Sequence, residues 1–62
     1  MFIEAEDLDH LVVILNSVYA ASDYQHETNR HGDPIVIEYP PNDGESIEWS
    51  VEEQQEGFYL HC

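Results

Sequence analysis

The side chains with the means to do chemistry are 14 carboxylates, four histidines and one cysteine. A nucleophile needs a general base within hydrogen-bond reach, and His61 and Cys62 are adjacent in the sequence. Neighbouring residues on a strand point to opposite faces of a sheet, so these two side chains are not expected to meet. A chain of 62 residues also has little material for a substrate pocket. The sequence therefore predicts no catalytic residues and no enzyme.

Metal binding is the second kind of chemistry that these residue types allow. His26 and His31 are five residues apart, as in the histidine half of zinc sites, but no pair of cysteines accompanies them. Residues 42–48 carry carboxylates around Gly44, yet they lack the register and the final glutamate of a calcium-binding loop. We therefore predict no dedicated metal site and no cofactor.

The carboxylates are opposed by one arginine, Arg30, and by no lysine, which gives a formal net charge of −13. Such a surface repels phosphate, so direct binding to nucleic acid or to anionic lipid is not expected. No apolar run approaches the ~18 residues of a membrane span, and no basic segment of a signal peptide is present. A single cysteine allows no internal disulfide. These features predict a cytoplasmic protein without a membrane partner.

The apolar residues are patterned, and they predict one small folded domain over residues 1–62. A helix is predicted from about Asp7, which is placed as its N-cap. Residues 22–31 fit either an extension of this helix or a loop, and residues 1–3 fit either a short strand or a cover for the core. The apolar stripe of the helix recurs at 100° per residue and comprises Leu8, Leu11, Val12, Ile14, Leu15, Val18 and Tyr19.

Three strands are predicted after the helix, at residues 35–39, 47–51 and 58–62, with a strong turn at residues 40–44. The predicted fold is α+β: one N-terminal helix packed on a three-stranded antiparallel sheet, an α-β-β-β meander whose other face is open. Four aromatic residues are expected in the core, and three further residues are candidate exposed contacts. The first group is Tyr19, Tyr39, Trp49 and Phe58, and the second is Val13, Tyr24 and Tyr59.

The predicted strands and turns gather the carboxylates into two clusters. Glu38 and Glu48 are expected to project from the open sheet face, with further acids at both hairpin ends. We call this set the predicted ridge and expect it to bind a partner; it comprises Glu38, Asp43, Glu45, Glu48, Glu52, Glu53 and Glu56. A secondary candidate cluster lies at the helix start, where the helix dipole favours negative charge, and comprises Glu4, Glu6, Asp7 and Asp9.

The number of carboxylates approaches the charge of duplex DNA over the same length. A compact chain of this size has a radius of gyration of ~11 Å and a diameter of ~27 Å, and ~27 Å of duplex carries ~16 phosphate charges. Averaged over the whole surface the match is poorer, because the protein has roughly one net charge per 320 Å² where duplex DNA has about one per 110 Å². Mimicry of DNA therefore requires that the acids be gathered on one or two faces.

Small size, extreme acidity, the absence of lysine and a simple α+β layout resemble the DNA-mimic inhibitors made by bacteriophages, especially small acidic anti-CRISPR proteins. The resemblance implies a non-enzymatic phage protein that occupies the DNA-binding channel of a CRISPR effector or nuclease. It would act through protein–protein contact in the cytoplasm of the host bacterium, and so evade host defence. A channel lined by Lys and Arg for phosphates attracts a rigid array of carboxylates.

Two alternatives account for the same acidity. A small domain from a halophile uses surface acids for hydration and solubility. An immunity or antitoxin protein uses them to cap one basic toxin, with the same physics and a different target.

Overall fold

The computed structural model describes residues 1–61, which form one helix and a five-stranded antiparallel sheet. The strand order across the sheet is β1-β5-β4-β3-β2. The predicted three-stranded sheet is therefore wrong, because two additional strands flank it. In chain order the elements are β1 (Phe2–Glu4), α1 (Leu8–Val18), β2 (Asp23–Thr28), β3 (Pro34–Tyr39), β4 (Ile47–Glu53) and β5 (Gly57–His61).

Strand β2 occupies most of the segment that the sequence left open between helix and loop. It pairs with β3 from Asp23 opposite Tyr39 to Thr28 opposite Pro34. The turn between them is held by the side chain of Asn29, whose Oδ1 accepts hydrogen bonds from the backbone of His31 and of Asp33. Because β2 is an edge strand with only one buried side chain, it shows almost no apolar alternation, which is the signal that strand prediction uses.

Strand β1 is the second addition, and it closes the opposite edge of the sheet against β5. Gly57 lies opposite Glu4 in this pairing. The two backbones approach so closely that a Cβ at residue 57 would stand 2.2 Å from the carbonyl oxygen of Ile3. Glycine is therefore required here by the space between the strands.

Helix α1 begins where the sequence predicts. Asp7 is the N-cap, and its Oδ1 accepts a hydrogen bond of 2.8 Å from the backbone N–H of His10. Leu8, Leu11, Val12 and Leu15 of the predicted stripe pack on one face of the sheet, which we call the helix face, whereas Val18 at the end of the helix is 64% exposed. The buried residues of the resulting core cluster are Leu11, Leu15, Tyr24, Val36, Phe58 and Leu60.

Strand β3 has a more apolar face with Ile35, Ile37 and Tyr39 and a less apolar face with Val36 and Glu38, and the less apolar face meets the helix. Val36 and Glu38 point to the helix face, because they lie opposite Trp49 and Ile47. Ile35, which is buried beside the β2–β3 turn, and the other odd-numbered residues of the strand point the other way. The expectation that Tyr39 lies in the core is therefore wrong, since its side chain is 41% exposed.

The other aromatic predictions have mixed outcomes. Phe58 is buried, and Trp49 is half-buried against the core cluster. Tyr19 is exposed, because it lies just past the end of α1 as its C-cap. Tyr24 is buried instead of exposed, whereas Val13 and Tyr59 are exposed as predicted.

The free edge of β2 is partly covered by the helix. Asn16 of α1 donates from Nδ2 to the carbonyl oxygen of Tyr24 at 3.1 Å, and its Oδ1 accepts from the backbone N–H of Tyr24 at 2.8 Å. One side-chain amide thus takes the place of a neighbouring strand at this residue.

The overall dimensions match the expectation from chain length, with a radius of gyration of 11.1 Å. No helix in residues 1–61 is long and apolar enough to cross a membrane. The predicted position of Cys62 at the end of the last strand lies outside the described residues.

Replacing Gly57 by alanine should push β1 away from β5. We expect a loss of about 1–3 kcal/mol in the free energy of unfolding, the usual cost of overpacking, together with faster amide exchange in β1. Gly44→Ala is the matched control, because its new Cβ would meet the ring of Pro40 at 3.2 Å and the carbonyl oxygen of Pro41 at 3.6 Å, with no atom nearer. Urea titration of both variants measures the difference, and equal losses would contradict the close approach of β1 and β5.

Candidate functional site

The negative charge of the protein lies at its surface and is almost entirely unpaired. Every carboxylate except that of Glu38 belongs to an exposed residue. Within residues 1–61 the one approach of a basic nitrogen to a carboxylate oxygen within 4 Å is between Nε2 of His26 and Oδ1 of Asp9, at 2.6 Å. The acids are therefore available to a partner and are not used up in internal ion pairs.

Glu38 is the exception, and its carboxylate is bonded within the protein. Its Oε2 accepts a hydrogen bond of 2.8 Å from the hydroxyl of Ser22, and its Oε1 accepts one of 3.0 Å from the indole Nε1 of Trp49. The side chain is half-buried on the helix face. The expectation that Glu38 shares the open face with Glu48 is wrong, because the residue paired with Glu48 is Ile37.

The sheet face away from α1, which we call the open face, carries carboxylates from three of the five strands, β1, β2 and β4. The registers place each of these side chains on the same side as Ile37 or Tyr59. We call this set the open-face carboxylates; it comprises Glu4, Asp23, Glu27, Glu48 and Glu52.

The spacing of these five groups follows from the geometry of the sheet. Strands lie about 4.8 Å apart and same-face residues about 6.6 Å apart along a strand, so neighbouring members of the set are about 12 Å from one another. The face covers about 600 Å² on this geometry, or about one carboxylate per 120 Å². Duplex DNA, taken as a rod about 20 Å wide, has about one charge per 110 Å². The open face thus carries its carboxylates at nearly the density of the phosphates of a duplex, with Arg30 in the pocket that Glu27 and Glu48 line.

Aromatic side chains stand between the open-face carboxylates. Phe2, Tyr59 and Glu52 form one row across β1, β5 and β4, and the two rings are 47% and 44% exposed. Tyr39 lies directly opposite Asp23 at the other end of the sheet. Exposed aromatics beside hydrogen-bonding groups are characteristic of protein interfaces.

The remaining members of the predicted ridge do not join this face. Asp43 and Glu45 lie in the β3–β4 loop at one end of the sheet, and Glu56 lies in the β4–β5 turn at the other. Glu53 points to the helix face, because it pairs with Phe58. The seven residues therefore form no continuous ridge, although their contact with a partner stays a prediction.

Glu53 instead meets the secondary cluster at the start of α1. A groove with a volume of about 420 Å³ opens there, and we call it the acidic groove. It is rimmed by Glu6, Asp7, Asp9 and Glu53, and its apolar lining includes Leu8, Val51 and Phe58. Glu4, the fourth member of the predicted secondary cluster, lies on the open face.

The histidines take separate places. His26 pairs with Asp9 beside the acidic groove, whereas Nδ1 of His10 accepts a hydrogen bond from the backbone N–H of Glu6. His31 lies in the β2–β3 turn and His61 on the open face, with its ring centroid 6.0 Å from that of Tyr59. In the described part of the chain no three His, Cys, Asp or Glu side chains are placed to hold a metal ion.

Sequence reasoning assigned no role to several residues of the open face. Asp23 and Glu27 were unplaced because β2 was not predicted, and Tyr39 was assigned to the core. The turn residues Asn29 and Gly32, with Gly32 at φ +85°, are the sequence signal that would have separated β2 from β3 as a hairpin.

Comparison of the chain with protein-family models, with curated proteins and with solved structures finds no match in any of the three.

Replacing Glu38 by alanine should destabilise the fold, because the indole N–H of Trp49 and the hydroxyl of Ser22 both lose their acceptor. We expect a loss of about 2–3 kcal/mol, since a hydrogen bond to a charged group contributes about 1.5–3. Glu38→Gln should cost less, because its amide oxygen can accept from Trp49 while its NH₂ donates to the Ser22 hydroxyl. Urea titration followed by Trp49 fluorescence measures both, with Glu48→Ala as the exposed control. Equal stability of all three variants would contradict the bonded role of Glu38.

Tyr24 should make the protein sensitive to alkali. Burial first, and then the negative charge of Glu38 opposite it, raise the pKa of the Tyr24 phenol above its ordinary value of 10.0. The protonated phenol therefore contributes stability that is complete below pH ~10 and is lost as the pH rises through the folded-state pKa. Ultraviolet titration of phenolate should show one tyrosine that ionises late, and Tyr24→Phe should remove it. A late component that survives in Tyr24→Phe would contradict the assignment.

Proposed function

We propose that this protein is a non-enzymatic inhibitor that occupies the DNA-binding channel of a bacterial nucleic-acid-binding complex by mimicking DNA, and that it acts as an anti-CRISPR protein in the host cytoplasm. The observation that carries the proposal is the density of unpaired carboxylates on the open face. A density of about one per 120 Å² equals that of a duplex within the precision of the geometry.

The open-face carboxylates project from a hydrogen-bonded sheet, and this fixed arrangement supports the proposal. Carboxylates fixed on paired strands lose little freedom on binding, so they bind a row of Lys and Arg side chains at a lower entropic cost than a disordered acidic chain. Their charges also accelerate the encounter with a basic partner, in a manner that salt screens.

The aromatic residues of the open face favour a protein partner over a purely solubilising role. A halophilic surface needs hydration and gains nothing from exposed Phe2, Tyr39 and Tyr59 on the same face. An inhibitor gains contact area from these rings, which bury surface against the partner beside each charge pair. An immunity or antitoxin protein that caps a basic toxin would use the same face. Testing CRISPR effectors and nucleases as targets distinguishes the proposed inhibitor from such a protein.

The direct test is competition with DNA. Purified CRISPR effectors and restriction nucleases are incubated with fluorescent target duplex, and displacement of the duplex by the protein is followed by anisotropy. We expect the protein to displace the duplex from at least one effector or nuclease. Its affinity for that target should fall as the salt concentration rises. A chain of the same composition in scrambled order is the control for rigidity, and it should displace far less.

Charge variants locate the contact. Glu27→Gln, Glu48→Gln and Glu52→Gln combined should weaken displacement at least tenfold, or about 1.4 kcal/mol. The matched set removes three charges from the loops, by Asp43→Asn, Glu45→Gln and Glu56→Gln, and tests these members of the predicted ridge. A weakening as large as that of the open-face set would show that the loops contact the target as well. Failure to displace DNA from any complex, or displacement by the scrambled chain at equal strength, would refute the proposed function.

A further inference from the structure

The acidic groove is a second surface feature, distinct from the open face. It lies on the helix face, where the sheet extends past the start of α1. The 11 residues of α1 span about 16 Å at 1.5 Å per residue, whereas the seven residues of β4 span about 23 Å at 3.3 Å per residue. The helix is shorter than the strand, and the groove lies where the start of α1 meets Val51 and Glu53 of β4 and Phe58 of β5.

The floor of the groove is apolar. Phe58 supplies a ring that is only 6% exposed, and Leu8 and Val51 beside it are half-buried. An apolar floor of this kind accepts the methylene stem of a long side chain or the face of a planar group.

The rim of the groove is negative from two directions. Glu6, Asp7 and Asp9 come from the helix start, and Glu53 comes from β4 across the groove. The N-terminus of α1 contributes an opposing partial charge of about +0.5, and His26 lies within ion-pair distance of Asp9. One oxygen of Asp7 caps the helix and one oxygen of Asp9 is bonded to His26. The side chains of Glu6 and Glu53 make no hydrogen bond within residues 1–61, so the groove favours a cation held chiefly by these two carboxylates.

From this combination we propose that the acidic groove binds an arginine side chain of a protein partner. A guanidinium lies flat on an apolar floor and donates N–H groups in its own plane, so it can reach carboxylates on both sides at once. A lysine ammonium is a compact, strongly hydrated charge that uses such a floor less well. The partner's arginine would thereby be anchored beside the contact that the open face makes, and in this respect the inference rests on the proposed function.

The test uses the intact protein and short peptides, so it does not depend on any target. Chemical shifts of the backbone amides are followed during titration with an acetylated and amidated Gly-Arg-Gly peptide. The same titration is run with the Gly-Lys-Gly and Gly-citrulline-Gly peptides. We expect saturable shifts confined to residues around the groove for the arginine peptide, binding at least threefold weaker for lysine, and none for the neutral citrulline.

Variants then separate the groove from general acidity. Glu6→Gln with Glu53→Gln should weaken binding of the arginine peptide at least fivefold, and both residues are exposed, so the fold should be retained. Glu48→Gln with Glu52→Gln removes the same charge from the open face and should leave this binding unchanged.

The outcomes of the two proposals are distinguishable. Shifts spread over the open face, equal binding of the lysine peptide, or saturation of the same amides by Mg²⁺ at lower concentration than by the arginine peptide would overturn the arginine site. After any of these results, the displacement of DNA still tests the proposed function independently. Conversely, arginine binding in the groove without displacement of DNA from any complex would retain the site and refute the inhibitor.

Discussion

The packing of Leu11 and Leu15 against the helix face of the sheet is the contact on which the rest of the structure depends. These two side chains are fully buried, and with Tyr24, Val36, Phe58 and Leu60 they form the core cluster. The same small cluster must hold a net charge of −13 in one compact body. Because neighbouring open-face carboxylates are about 12 Å apart on sheet geometry, beyond the ~8 Å Debye length at physiological salt, their mutual repulsion is largely screened. On the open face, the sheet thus spaces five of the 14 side-chain carboxylates widely enough to limit the cost of their repulsion to the thin core.

Part of the fold could be predicted from the sequence. The start of α1 and its cap at Asp7 follow from local residue types, and the inward faces of β4 and β5 follow from the alternation of Trp49 with Val51 and of Phe58 with Leu60. These signals are local, so they survive without knowledge of the neighbours.

The face of β3 and the two edge strands could not be predicted in this way. Ile35 and Ile37 outweigh Val36 in apolar surface, so periodicity chose the wrong side. The observed side is allowed because Ser22 and Trp49, distant in sequence, supply donors to both oxygens of Glu38. Strand β1 depends in the same way on a distant partner strand, since Phe2 lies opposite Tyr59, which is 57 residues away in the sequence. Tertiary hydrogen bonds and long-range strand pairing are not visible in the local pattern of apolar and polar residues.

The candidate site was predicted in its chemistry and only partly in its location. Carboxylates were identified as the groups that matter, and nearly all are exposed. Their grouping differs from the prediction. Strand β3 presents Glu38 to the helix face, and the additional strand β2 brings Asp23 and Glu27 to the open face. The fold also joined Glu53 to the acids of the helix start, which are more than 40 residues away in the sequence. Site membership in so small a protein is thus set by strand register more than by proximity in sequence.

The two hydrogen bonds between the side chain of Asn16 and the backbone of Tyr24 have a consequence for self-association. An exposed sheet edge is a template on which a second copy can add a strand. At Tyr24 both edge-facing backbone groups are already occupied by one amide, so a strand that adds there must first displace it. Such an addition would also bring Asp23 and Glu27 of one copy against the acids of the other. Hydrogen bonding and charge together thus disfavour the addition of a like chain at the Tyr24 end of the β2 edge, while the open face beside it stays exposed.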